Sequence, residues 1–205
     1  MLCYFIRHAH HDLLGRELVG RRPGVALSAA GLAEAEALAT ALASARFAHV
    51  FTSPQLRARQ TAEAIARAQE LAPEDAAALD EVDFGHWTGL SFAALRDDPH
   101  WHDFNRSRTR VPIPGGESMP EVAERVVGFV AALARASANG AIACVTHGDV
   151  IRASLVTFLG MPLDLIERID IAPASVSVVE VASGHCRVRA VNLTLAGLAW
   201  RGTAP

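Results

Sequence analysis

The feature that most constrains this chain is a set of short, unbroken apolar runs separated by amphipathic stretches. Leu2-Cys3-Tyr4-Phe5-Ile6 and Ala141 to Thr146 are too short for buried helices, and they do not alternate. That is the form a strand takes when both its faces are covered. His49-Val50-Phe51-Thr52 reads as another strand, closed by Ser53-Pro54, with Pro54 suited to the first turn of a helix reaching about Glu70. Ser28 is placed to cap a helix on which Leu32, Ala35, Leu38 and Leu42 recur at helical spacing. Val122, Val126, Phe129 and Leu133 mark a further amphipathic helix, and Gly148 to Leu159 another. Val176 to Val181 and Arg187 to Val191 alternate as a hairpin turned at Ser183-Gly184. The segment from Asp80 to Gly116 is irregular, apart from a short helix expected after Ser91. This order predicts an α/β fold on a largely parallel sheet. No repeat, low-complexity tract or linker divides residues 1–205, so one domain with a cap-like insertion at about 80–116 is expected.

Composition narrows the partners. Hydrophobic residues make up 51%, ample for a core, and aromatics only 6%, so that core must be aliphatic and alanine-rich. Nineteen basic residues against 22 acidic ones give a net charge of −3, with no basic field to hold nucleic acid or an anionic membrane. Every basic residue is arginine, which excludes a Schiff-base lysine and a P-loop lysine. The longest apolar stretch, Val126 to Ala134, is far short of the ~20 residues that span a bilayer. The first residues lack a positive leader region, so neither a membrane nor a secreted location is expected. Cys3, Cys144 and Cys186 are odd in number and lack C-x-x-C spacing. Two of them sit in strand-like runs as small hydrophobes, which fits a reducing, cytoplasmic setting. The oligomeric state stays open, a homodimer being one reading.

In open α/β sheets, ligands bind beyond the carboxyl ends of the strands. The first strand ends in Arg7-His8, the second feeds Ser53-Pro54-Gln55-Leu56-Arg57, and a later one ends in Thr146-His147-Gly148. Two histidines and two arginines thus emerge at one sheet edge. Guanidinium forks bind phosphate oxygens in pairs and stay charged at any working pH. With two imidazoles between them, they point to a phosphoryl group and a histidine nucleophile.

These segments resemble the histidine phosphatase superfamily, also called the phosphoglycerate mutase-like family. Arg7-His8-Ala9 is similar to its Arg-His-Gly signature, and Leu27-Ser28 with Gly31 to the start of its first helix. Ser53-Pro54-Gln55-Leu56-Arg57-Ala58 with Thr61-Ala62 resembles its second motif. Glu81 to Gly89, Pro114-Gly115-Gly116-Glu117-Ser118, and Thr146-His147-Gly148 with Ile151-Arg152 follow in the family's order. The resemblance implies a three-layer sandwich with helices on both faces of the sheet. It also implies that His8 attacks phosphorus and that Arg7, Arg57 and His147 surround the phosphoryl oxygens. Glu81 would be the proton donor, with Asp83 as the alternative, and no metal or other cofactor would be needed. Gly148 would add a helix N-terminus to the anion site. The activity implied is hydrolysis of a small phosphorylated metabolite, with phosphoglycerate mutase-type transfer as the alternative. Two positions depart from the pattern: where the family often carries threonine and asparagine, His11 and Leu14 stand. His10 or His11 is the expected replacement for the lost phosphate contact, and Arg21 is a further candidate substrate contact.

Rival readings weigh less. His8, His10 and Asp12 imitate a binuclear metal motif, but Leu13 stands where its last histidine belongs. A non-catalytic phospho-ligand module would be favoured if His8 or Glu81 were missing, and both are present. Arg21, Arg106 and Arg108 are the residues that together would grip a carboxylate and make a mutase. Glu34 and Glu36 are expected simply to face solvent.

Overall fold

A computed structural model describes residues 1–136, 140–182 and 185–201. The chain runs β1 (Leu2–Arg7), α1 (Ala29–Ala41), β2 (Phe47–Thr52), α2 (Leu56–Ala68) and β3 (Pro73–Asp75). There follow two short helices, α3 (Phe92–Arg96) and α4 (Pro99–Arg106), and the long α5 (Met119–Ala136). β4 (Ala141–Thr146), α6 (Gly148–Phe158), β5 (Val176–Ala182), β6 (His185–Leu193) and α7 (Leu195–Arg201) complete it. The six strands form one sheet in the order β3-β2-β4-β1-β5-β6. β3, β2, β4 and β1 are mutually parallel, and β5 lies antiparallel to both β1 and β6. The sheet is therefore mixed, and its four parallel strands fit the largely parallel sheet predicted from the strand-helix alternation. The turn expected at Ser183-Gly184 lies outside the described residues.

Both faces of the sheet are covered, as the unbroken apolar strands require. On one face Phe5, Cys3 and Cys144 pack with Val122, Val126 and Ile151 from α5 and α6. On the other, Ile6, Val50 and Val145 pack with Ala35 and Leu38 of α1 and with Ala62 and Ile65 of α2. Small alanines let α1 and α2 lie close on the sheet and on each other. Cys3 and Cys144 are buried with their sulfurs 3.6 Å apart, as free thiols. Leu32 departs from the expected α1 stripe: it is 47% exposed, and Gly31, Ala35, Leu38 and Ala39 form the buried face instead. Pro54 lies just before α2, whose N-cap is Gln55. β3, α4 and α7 have no strong signal in the sequence pattern. Among the described residues no helix is long and apolar enough to cross a membrane.

Candidate active site

β1 and β4 are adjacent and in register, Arg7 opposite Thr146, so their carboxyl ends deliver Arg7-His8 and His147 side by side. α2 brings Arg57 beneath them, and the segment between β3 and α5 lays Glu81 across the top. His8 is buried. Its Nδ1 lies 2.8 Å from the Ala9 carbonyl, which can only accept, so Nδ1 carries the proton. Nε2 then holds the lone pair and accepts from Arg57 Nε at 3.3 Å. Burial, with the charges of Arg57 and Arg7, holds the imidazole well below its usual range and keeps it neutral. The remaining Arg57 contacts are Nη2 to the Gly20 carbonyl at 2.9 Å and to His147 Nδ1 at 3.2 Å. Arg7 donates through Nη1 to the Ile171 carbonyl at 2.6 Å. Arg57 Nη1, Arg7 Nε and His11 Nδ1 are buried without partners. Three unpaired polar atoms on residues that line one cavity with His8 suit an oxyanion.

The tautomer of His147 follows in the same way. A guanidinium can only donate, so Nδ1 accepts from Arg57 and Nε2 donates to Ser53 Oγ at 2.7 Å. Ser53 passes its own proton to Asp80 at 3.3 Å. Glu81 Oε2 lies 3.4 Å from His147 Nδ1 and 3.9 Å from Arg57 Nη2, while its Oε1 accepts from the Val82 amide at 2.9 Å. Burial pushes the Glu81 carboxyl up to about 7, against the pull of Arg57. A carboxyl with that pKa holds or releases a proton near neutrality. His8, Glu81, Arg7, Arg57, His11 and Gly148 all line one cavity of about 670 Å³, whose outer wall comes from Phe84, Phe92, Trp101 and Arg108. Gly148 lies against the Arg7 guanidinium, where a Cβ would make ordinary contact at 3.4 Å.

The model of the histidine phosphatase superfamily (branch 1) matches residues 3–194. The chain belongs to the histidine phosphatase superfamily. Phosphoserine phosphatase 1 of Hydrogenobacter thermophilus is 28% identical over 195 residues, covering 92% of this chain and 90% of its own. A bifunctional protein of Mycobacterium tuberculosis is 32% identical over 192 residues, 92% of this chain but 53% of its own. The chain thus spans about half the length of such curated relatives. A mycobacterial glucosyl-3-phosphoglycerate phosphatase structure, complexed with VO3, superposes with a TM-score of 0.83 at 26% identity, covering 93% of this chain and 98% of that one.

Within this histidine phosphatase fold, several residues stand elsewhere than the sequence reading placed them. Arg21 does not line the cavity. Asp80 at 3.3 Å and Glu117 at 2.7 Å hold it behind Glu81, where it donates to the Glu81 carbonyl at 2.7 Å. It supports the turn carrying Glu81 rather than contacting a ligand. His147 joins the cluster but is fully enclosed behind His8, their rings 5.1 Å apart, so it braces Arg57 and Glu81 from behind. Glu34 is not merely solvent-facing: it accepts from the His10 amide at 3.1 Å and from His10 Nδ1 at 2.7 Å. His10 therefore turns away from His8, and the His-x-His-x-Asp ligand arrangement does not form. His11 turns inward instead, its ring 5.4 Å from that of His8, and burial with Arg57 and Arg7 pushes its pKa down to about 4. Asp83, the alternative donor, is not among the cavity-lining residues. The sequence reading missed Ser53 and Asp80 as supports, and Asp149 and Glu167 as wall residues. Asp149 was detectable as the residue after His147-Gly148; Glu167 had no signal.

Proposed function

We propose that this protein hydrolyses a small phosphorylated molecule through a phosphohistidine on His8, without a metal. The observation that carries the reading is the His8 tautomer: Nε2 bears the lone pair, and His8 lines one cavity with Arg57, Arg7 and His11, whose Nη1, Nε and Nδ1 are unpaired. In the first step His8 Nε2 forms a bond to phosphorus as the ester P–O bond breaks, and protonated Glu81 gives its proton to the leaving oxygen. Arg7 and Arg57 hold the equatorial oxygens, and neutral His11 replaces the threonine of the family pattern as a further polar contact. In the second step Glu81, now a carboxylate, takes a proton from water as the water oxygen bonds to phosphorus and the N–P bond breaks. Inorganic phosphate leaves and both side chains return to their starting states.

Rapid quench during turnover of 4-nitrophenyl phosphate tests this. Wild type is expected to yield an acid-labile phosphoenzyme, and His8→Ala none, with turnover lost by at least about 10³-fold. Full activity in EDTA is expected. Loss in EDTA with recovery on zinc or manganese would overturn the metal-free scheme.

A further inference from the structure

Beyond the phosphate-binding floor, the charged groups of the cavity wall are already paired with one another. Arg108 comes from the segment after α4 and is buried. Its Nη1 donates to Asp149 at 3.0 Å, and its Nη2 to Asn105 at 2.6 Å and to Glu167. Its Nε is buried without a partner. Arg152 donates to the other oxygen of Asp149 at 2.9 Å and to the Ile169 carbonyl at 2.8 Å. Burial pushes Asp149 up, but Arg108 and Arg152 outweigh it and hold it below its usual range, so it stays charged. Glu17 adds a third carboxylate to the wall, and its partner Arg22, at 2.7 Å, lies outside the cavity. With Arg22 counted, three guanidiniums meet three carboxylates here, and each carboxylate is ion-paired. Of the arginines expected to grip a carboxylate, Arg21 is held behind Glu81, and Arg106 is exposed, 3.6 Å from Asp103. The rest of the wall is apolar, with Leu14, Leu18, Phe84, Phe92 and Trp101.

A carboxylate entering here would shed water and find the cations of this wall already ion-paired. An uncharged group would instead gain contact with three aromatic side chains. Resting on the phosphatase reading, we infer that the leaving group is an uncharged alcohol with an apolar face, and that the wall discriminates against carboxylate-bearing phosphate esters. The same discrimination disfavours return of the phosphoryl group to a glycerate hydroxyl, as a mutase requires. Glu167, half exposed and bound to Arg108, is the residue through which the wall's charge can be changed without opening the floor.

The test compares 3-phosphoglycerate with its methyl ester, which removes the carboxylate charge and adds one methyl group, and with 2-phenylethyl phosphate, all with alkyl leaving groups. Wild type is expected to show kcat/KM about tenfold or more higher for the methyl ester than for the acid, as one unpaired charge in such a site implies. 2-Phenylethyl phosphate is expected to match or exceed the methyl ester. Glu167→Gln, which removes a carboxylate and leaves Arg108 ion-paired to Asp149 alone, is expected to lower the ester-to-acid ratio by about fivefold or more. Equal or faster hydrolysis of the acid by wild type would overturn the inference while leaving the phosphatase reading standing. An unmoved ratio in Glu167→Gln would overturn the assignment to this wall. Silence on every ester, 4-nitrophenyl phosphate included, would overturn the phosphatase reading itself, and the inference with it.

Discussion

Burial beside Arg57 and His147 raises the Glu81 carboxyl to about 7, and this makes its proposed role measurable. An acid works only while it holds its proton, so turnover of alkyl phosphates is expected to fall as pH rises through about 7. Glu81→Gln should cost at least about 10²-fold on an alkyl phosphate and far less on 4-nitrophenyl phosphate, whose leaving group needs no proton. Equal losses on the two substrates would remove Glu81 from this role. Stability should respond to the same group. Folding raises this pKa from 4.5 to about 7, so the folded chain holds the proton more tightly. The contribution is fully present below pH 4.5 and is lost as pH rises through about 7. Urea titrations of Glu81→Gln across that window should be flatter than those of wild type. At this scale the sequence was informative where chemistry sits at strand ends, as at Arg7, His8 and His147. It was silent where a side chain's partner comes from a distant turn. Arg21 looked like a ligand contact because nothing local revealed Asp80 and Glu117 as its partners.

The N-terminus of α1 is fastened to the loop that carries His8 to His11. Ser28 caps the helix by accepting from the Gly31 amide at 3.1 Å, and its own amide donates to the His10 carbonyl at 3.0 Å. Glu34, one turn on, receives the His10 amide and ring. Gly31 makes this approach feasible, since a Cβ there would lie 1.9 Å from the His10 carbonyl oxygen. That oxygen is backbone and cannot rotate aside. Gly31→Ala is therefore expected to cost about 1–3 kcal/mol, as overpacking does, despite the better helix propensity of alanine. It should also lower turnover, because the displaced loop holds His8 and His11. Leu32→Ala, at the neighbouring exposed position, should change stability by no more than about 0.5 kcal/mol. Denaturant midpoints for the two variants decide the matter, and similar values would refute the fastening. The helix itself was legible from Ser28 and the periodic apolar positions. Which of its residues faced the loop was not, because Gly31 and Glu34 meet a segment distant in sequence.

Over the whole molecule, the alternation of unbroken strands with helices was enough to predict a parallel sheet covered on both faces. The short edge strand β3 and the second helix of the insertion, α4, escaped, since one is three residues long and the other about two turns, whereas α3 stands where Ser91 announced it. What the complete fold adds is concentration of positive charge. Arg7 and Arg57 come from two elements, β1 and α2, and line one cavity, where the Arg57 charge disfavours that of Arg7. With Arg57 Nη1 and Arg7 Nε buried and unpaired, the folded chain is poised to bind an anion that the unfolded chain cannot recognise. Orthovanadate should therefore raise the melting temperature, and at a hundred times its Kd the added stability should be about 2.7 kcal/mol. In Arg7→Gln that shift should shrink to a small fraction of the wild-type value. The comparison is between melts of one protein with and without the anion, so any stability change caused by the substitution cancels. Equal shifts in both proteins would place the anion somewhere other than the floor formed by Arg7, His8 and Arg57.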